Sequence, residues 1–347
     1  IDYTIIILGG SRMARSRRAN AVVFGFDFQV NAAIVIMLEN IEDLQSLRLE
    51  GNFEDIEIEL NNHQYILAQA KAVEKSSSDF QNVRKNLKKA LISLSEGSQK
   101  VNAQQLILIT NSPNPLNEDV SRSIFWGDAH RSFLSLPGSS QELIKGYVDK
   151  IACPLDLNKF MIQILPFETD NDAERYKVVK RAVDDFIGDL NLSIPGLGKK
   201  LLTIWHEEVF KNGTKKDASI QLRKKDVIWP IMVIATDINY CDAAFADMFD
   251  PSAYDEIVHQ YRETIDSCCE RYEFFIKVLY DYNMYRTSRS LSEKAFDFAI
   301  NKWTDYLAEF KLDGVDEEIQ KGLIQIILYR IVRNRIVIQN IKEGVKL

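Results

Sequence analysis

Along the first third of the chain the apolar positions change period repeatedly, and each change predicts an element. "FGFDFQVNAAIVIMLENIEDL" (24–44) puts Phe28, Ala32, Val35, Ile36 and Leu38 within reach of one core-facing helical stripe, the spacing of an amphipathic helix. From 53 to 60 the period falls to two: Ile56, Ile58 and Leu60 alternate with Asp55, Glu57 and Glu59, predicting a strand with one apolar and one acidic face. "NNHQ" supplies turn residues, and 65–73 returns as a second strand. A helical stripe resumes in "SDFQNVRKNLKKALISLSEG" (78–97), with Ser78 or Asp79 as N-cap, Arg84, Lys85, Lys88 and Lys89 on its polar face, and Gly97 as its stop. "QQLILITNSP" (104–113) then reads as a buried strand. Helix, strand, strand, helix, strand predicts an α/β core, a mixed sheet flanked by helices.

Residues 112–150, rich in Ser, Pro, Asn and Gly, read as connection more than core. "FMIQILPF" (160–167) is a further short strand, and helices are expected over 172–190, 196–211 and 224–236. After Pro251 Gly and Pro almost vanish and helix formers dominate, through "RYEFFIKVLYDYNMYR" to a last helix over 317–343. That helix has Ile319, Leu323, Ile326, Ile327, Ile331, Ile338 and Ile341 on more than one face, which suits enclosure or an interface. The expected division is a sheet domain over 1–236 and an all-α domain over 237–347.

Composition agrees with two domains: 347 residues, 46% hydrophobic and 27% charged. No uninterrupted apolar run reaches the ~18 residues of a membrane span. Arg12, Arg15, Arg17 and Arg18 follow the first apolar stretch, the reverse of a secretory signal. No membrane association is expected, and the default compartment is the cytoplasm. A net charge of -7 disfavours a protein that coats nucleic acid, while leaving room for a local basic patch. The four cysteines form no CxxC pair. "WHEEV" (205–209) has Phe210 where a zinc helix of the HExxH type needs its second histidine. Gly9-Gly10 belongs to neither a GxxxxGK[ST] nor a GxGxxG phosphate loop.

The candidate chemistry lies in the paired strands. Lysine is rarely kept on the inner surface of a sheet unless an anion meets it, yet Gln69 and Lys71 share one face of the second strand by their i, i+2 spacing. An acid on one strand followed by [D/E/Q]-x-K on the next can hold hard cations beside a phosphodiester and supply a positive charge to it. Asp55 joins Gln69 and Lys71 only if the hairpin has the right parity. A three-residue loop centred on His63 pairs 55 with 71 and 57 with 69, whereas a two-residue Asn62-His63 turn sends the acids to the other face. From spacing alone, a solvated sheet face with cross-strand ion pairs explains the same residues equally well.

"GFDFQ" (25–29), "FEDIEIE" (53–59) and "ILAQAK" (66–71), followed by a basic helix and "LILITN", resemble in order and gaps the PD-(D/E)XK nuclease domain of bacterial antiphage effectors. That family includes the double-stranded DNA endonuclease domain of CBASS-associated effectors and the nuclease subunit of Lamassu systems. The resemblance covers roughly residues 20 to 235 and implies a restriction-endonuclease-like sheet. It implies a Mg²⁺ site at Asp55 and Gln69, with Lys71 placing water or stabilising the transition state, and it carries the helix glutamine onto Gln29. Gln69 replaces the acid of the parent pattern, and an amide coordinates through oxygen without charge, so Glu57 is expected as a further ligand. Duplex phosphates would meet Arg84, Lys85, Lys88 and Lys89 or the N-terminal arginines, with Lys215, Lys216, Lys224 and Lys225 as a second cluster.

The helical remainder is shorter and plainer than the fused nucleotide sensor of CBASS effectors. The resemblance therefore implies the Lamassu arrangement: an SMC-like ATPase and a small accessory subunit as partners, release as the trigger and a homo-oligomer when active. The rival expectations are a DNA-binding or adaptor subunit without catalysis, a cyclic-nucleotide-activated nuclease, and an RNA-directed or nicking enzyme.

Overall fold

The computed structural model describes residues 10–74, 80, 82–168, 170–192, 194, 196–235, 251–269, 271–288, 291–310, 315–333 and 335–347. The chain divides into two compact units. The first runs to Ile187 and resumes over Gly198–Lys224; the second takes Gly188–Leu197 and everything from Lys225. The division at 224 precedes the expected boundary at 236.

The first unit is a mixed α/β structure around a seven-stranded sheet. Helix α1 (Gly10–Glu39) precedes β1 (Leu44–Leu49), β2 (Ile56–Leu60) and β3 (Tyr65–Lys71). Helix α2 (Val83–Ser98) carries the chain to β4 (Ala103–Thr110), and β5 (His130–Ser132), β6 (Phe160–Ile164) and β7 (Leu222–Arg223) complete the order β5-β6-β4-β3-β2-β1-β7. β1, β2 and β3 form an antiparallel meander, and β3, β4 and β6 run parallel. A short turn serves each antiparallel step, while the parallel step from β3 to β4 needs the crossover that α2 provides.

Several elements depart from the sequence expectation for identifiable reasons. β1 went unpredicted because a bulge between Leu44 and Ser46 breaks its alternation, and because Arg48 is buried beside Leu47 and Leu49. The Arg48 guanidinium donates to the backbone oxygens of Asn212, Ile220 and Lys215 at 2.7–3.0 Å, which offsets the cost of taking the charge out of water. In α2, Gly97 lies inside the helix, where a Cβ would meet the Phe53 carbonyl. Asn82 takes the N-cap position, and Ser78 and Asp79 fall outside the described residues. The 112–150 segment is also core: Leu116, Phe125, Phe133, Leu136 and Ile144 join Leu87, Leu91, Leu94, Leu106 and Leu108 in one apolar cluster. Their spacing follows short turns and one helix, Gly138–Val148, so no single period marked them.

α1 is buried on every side from Phe28 to Met37, apart from Gln29. Its stretch Asn20–Glu39 reaches a mean hydropathy of 1.9, long and apolar enough by composition to cross a membrane, yet 61% of it is buried inside the protein. The polar residues Asp27, Gln29 and Asn31 kept its apolar runs short in the sequence.

Every secondary-structure element described in the second unit from Pro251 onward is a helix. Tyr272–Met284, Leu291–Lys302 and Glu317–Arg333 contribute Phe275, Val278, Phe298, Leu323, Ile327 and Ile331 to an aliphatic and aromatic core in which Tyr254, Tyr282, Tyr306 and Tyr329 are also buried. The expected last helix is two, Glu317–Arg333 and Arg335–Val345. Most of the isoleucines named for it are enclosed, Ile326, Ile327, Ile331, Ile338 and Ile341 having at most 1% of their surface exposed, while Ile319 is only partly buried.

Candidate functional site

β2 pairs with β3 through Ile56↔Ala68 and Glu57↔Leu67. The loop is the three residues Asn61–His63, closed by Leu60 N to Gln64 O at 2.9 Å and His63 N to Leu60 O at 2.8 Å. It centres on Asn62 and not on His63, because His63 adopts a left-handed conformation (φ 60°), as the third residue of such loops does. The register is therefore offset by two residues from the expected one. An offset of two preserves the face, so the pairing projects Asp55 beside Gln69, with Lys71 one step on.

Those three side chains meet. Asp55 Oδ2 accepts from the Gln69 side-chain amide, from Ala70 N at 3.1 Å and from Lys71 Nζ at 3.5 Å. Gln69 is buried, and the side chains of Lys71 and Asp55 keep 24% and 20% of their surface, so the charged pair is shielded but reachable. The anion that licenses an inward lysine is Asp55. The C-terminal ends of the parallel strands frame the cluster: Thr110 Oγ1 donates to Lys71 O at 2.6 Å, and the Asn111 side chain ties Val73 to Phe167 O.

The β1–β2 turn brings a second carboxylate that sequence reasoning missed. Glu50 N donates to Asp55 O at 2.8 Å and Gly51 N to Glu54 O at 3.1 Å, with Glu50 itself left-handed (φ 52°). Loss of hydration raises the Glu50 carboxyl above its usual range and neighbouring Asp55 raises it further; the Gln29 amide, Lys71 and Arg48 oppose the rise. Gln29 of α1 thus reaches the cluster through Glu50. The only sequence signal for Glu50 was its place before Gly51, legible once β1 is known.

Glu54, next in the same turn, is 6% exposed and neither carboxyl oxygen has a hydrogen-bond partner. Burial pushes it up to about 8, Ser93 pulls it down and Asp55 adds to the rise. Burial thus biases it toward the protonated form.

Glu57 does not join the cluster as a ligand. Its carboxylate turns into the 51–54 loop and accepts from the backbone N–H of Phe53 and, at 3.0 Å, of Glu54. A Cβ at Gly51 would run into that carboxyl group, so a side chain there would displace Glu57, which braces the turn that positions Glu50 and Asp55.

The expected phosphate-binding residues fare unequally. Arg84 is spent on the carbonyls of Leu116 and Asn117, and Lys88 lies 4.6 Å from the Tyr147 ring centroid. Lys85 and Lys89 are exposed and make no ion pair among the described residues. In the second cluster Lys224 is buried and donates to Glu42 O at 2.8 Å, whereas Lys215 and Lys216 remain exposed. The side chains of Arg12, Arg15, Arg17 and Arg18 lie outside the described residues.

The cluster thus gathers two carboxylates, two side-chain amides and one ammonium. Among the described residues no group of three or more His, Cys, Asp or Glu is arranged to hold a metal ion, so any cation here would depend on a mixed set of oxygen donors. Among the described residues Asp55 takes all three of its donors on Oδ2. The repulsion between Glu50 and Asp55 is of the sign a divalent cation relieves. A scan against protein-family models, a search of curated proteins and a search of solved structures each found no match.

Proposed function

We propose that this chain is a Mg²⁺-dependent double-stranded DNA endonuclease, its centre formed by Asp55, Gln69 and Lys71 with Gln29 and Glu50 behind them. The observation that carries the reading is the convergence of Lys71 and Gln69 on Asp55 across two adjacent strands. The element order α-β-β-β-α-β, with an antiparallel meander and a parallel fourth strand, is what a restriction-endonuclease-like core calls for. Mg²⁺ fits the oxygens of Asp55, Glu50 and the Gln69 amide, all hard donors. When bound it neutralises phosphate charge and lowers the pKa of water.

The chain's own residues supply the remainder. Lys71, held by Asp55, presents an ammonium to a developing phosphorane charge or to the attacking water. Gln29 steadies Glu50. Exposed Lys85 and Lys89 offer phosphate contacts on α2. In this reading the protein is a cytoplasmic effector of an antiphage complex, docked through its helical unit on an SMC-like ATPase and an accessory subunit and active as a homo-oligomer once released. A second reading, a DNA-binding or adaptor subunit without catalysis, draws on the neutral Gln69 where the parent pattern has an acid.

Purified protein at rising concentration with supercoiled plasmid and Mg²⁺, beside Lys71→Ala and an EDTA control, separates the two readings. Nicking or linearisation lost in both controls supports the nuclease. DNA binding without cleavage, in the presence of the ATPase partner as well, supports the adaptor.

A further inference from the structure

At the end of the sheet away from Asp55, a polar cavity opens in the first unit. β4 begins there: Gln104 and Gln105 line it, whereas Thr110, five residues on from Gln105, pairs with Lys71. At about 3.3 Å per residue the two places lie roughly 16 Å apart along the strand. β5 and the turn into β6 supply the other walls, with Arg131, Ser132, Asn158 and Lys159. The volume is about 810 Å³, within the ~300–1,000 Å³ range of small-molecule sites. Its charge is one-sided: among the described residues no acidic side chain lines it, and its two permanent cations are fixed by backbone carbonyls instead of carboxylates. Half-buried Arg131 donates through Nε to Ile124 O at 2.8 Å and through Nη1 to His130 O at 3.0 Å. Half-buried Lys159 donates to Ala103 O at 2.8 Å. These bonds hold both side chains in place, yet they use only two of five guanidinium donors and one of three ammonium donors. Neither cation has an ion-pair partner among the described residues, although a charge partly withdrawn from water is ordinarily paired. The carboxylates of Glu39 and Asp128 are engaged elsewhere: each meets His130 Nε2 at 3.5 Å, and Asp128 also meets Arg181 at 2.7 Å.

We propose that this cavity binds a small organic phosphate, its anionic group set against Arg131 and Lys159 and its body among the amides and hydroxyl of Gln105, Asn158 and Ser132. A phosphate group carries close to two charges and three acceptor oxygens, which matches two cations with donors to spare. A carboxylate neutralises only one of them. Inorganic phosphate leaves most of a cavity this size unfilled. The assignment is independent of the nuclease reading, since none of these residues belongs to the Asp55 cluster.

Isothermal titration calorimetry on the full chain with AMP, glycerol 3-phosphate, inorganic phosphate and adenosine tests it. At least one of the two organic phosphates is expected to bind at a single saturable site, with inorganic phosphate weaker and adenosine silent. Ser132→Glu, at an exposed position, adds an anion to the cavity and leaves the carbonyl bonds of Arg131 and Lys159 in place. It should weaken that binding by about tenfold or more, the scale of one charge-assisted hydrogen bond. Lys159→Gln, which removes the charge and keeps a donor for Ala103 O, should do the same. Lys216→Ala, in the turn leading to β7 at the opposite edge of the sheet, should leave the affinity unchanged. No binding of either organic phosphate at millimolar concentration, equal binding of adenosine or of inorganic phosphate, or an affinity untouched by Ser132→Glu and Lys159→Gln would overturn the proposal. So would a duplex oligonucleotide as the one phosphate compound that responds to these substitutions, which would make this face a DNA-backbone surface.

Discussion

The two units of this chain bury polar groups very differently. All but two of the buried polar residues lie in the sheet unit, among them Arg48, Glu54, Glu57, Gln69, Asn111 and Gln163; the helical unit has only Gln325 and Arg330 among the described residues. Burying polar groups costs free energy unless each is paired, so a fold concentrates them where they brace a turn, a strand end or a reactive group. The helical unit instead encloses isoleucine, leucine and aromatic rings, a composition that supplies stability and surface. Chemistry is therefore to be sought in the sheet unit, at the β2–β3 end where Lys71, Asp55 and Gln69 meet.

The largest effect expected from that contrast is catalytic. Asp55→Ala should lower Mg²⁺-dependent plasmid cleavage by on the order of 10²–10³-fold, the usual scale for one group acting on a transition state. Its urea midpoint should fall only modestly: the partly exposed Asp55–Lys71 pair contributes little, while the Gln69 amide and Ala70 N–H lose their acceptor at a cost of about 1–3 kcal/mol. An equal loss of folding would make Asp55 a structural residue like Glu57.

In the helical unit the order reverses. Phe298→Ala, at a site with no exposed surface, should cost roughly 3–5 kcal/mol in denaturant unfolding and should leave the far-UV signature of the sheet unit in place at intermediate urea. A single transition with loss of both signatures would mean that the units do not unfold separately.

Glu54 gives a pH-dependent test of the sheet unit. Its folded value of about 8 against an ordinary 4.5 means that the folded state holds a proton there which the unfolded state has lost. That contribution is complete below about pH 4.5 and disappears as the pH rises toward 8. At about 1.4 kcal/mol per pKa unit the change amounts to a few kcal/mol at most. Glu54→Gln should flatten stability between pH 5 and 8 and should gain on the parent at pH 9. A parallel decline in both proteins would remove Glu54 as the cause.

The smallest effect belongs to α2. Replacing Lys85 and Lys89 with alanine should reduce the salt dependence of duplex binding by about 1 to 2 in slope and leave the fold untouched. An unchanged slope would move the DNA path off this helix.

Much of the sheet unit was legible because its signals are local. The Ile56/Ile58/Leu60 alternation, the i, i+2 spacing of Gln69 and Lys71 and the leucines of α2 each express one period. What escaped had its cause elsewhere in the chain. β1 was hidden by a bulge and by Arg48, whose partners lie more than 160 residues away. Phe125 joins the core from a short turn and Ile144 from the helix Gly138–Val148, with no period shared between them. Glu50 joins the cluster through a left-handed turn, and Glu57 leaves it because the backbone N–H groups of Phe53 and Glu54 compete for its carboxylate. Helix and strand type follow from side-chain spacing, whereas turn geometry and register follow from hydrogen bonds that spacing does not encode.

The claim on which the account rests is that Asp55, Gln69 and Glu50 form a cation site, and cation binding can be measured without any cleavage assay. Mn²⁺, as a spectroscopic substitute for Mg²⁺, titrated into the parent protein, Asp55→Asn and Glu57→Gln and followed by electron paramagnetic resonance, tests it directly. The account predicts a site present in the parent, lost in Asp55→Asn and kept in Glu57→Gln. Binding unaffected by Asp55→Asn, or no binding at millimolar metal, would contradict it.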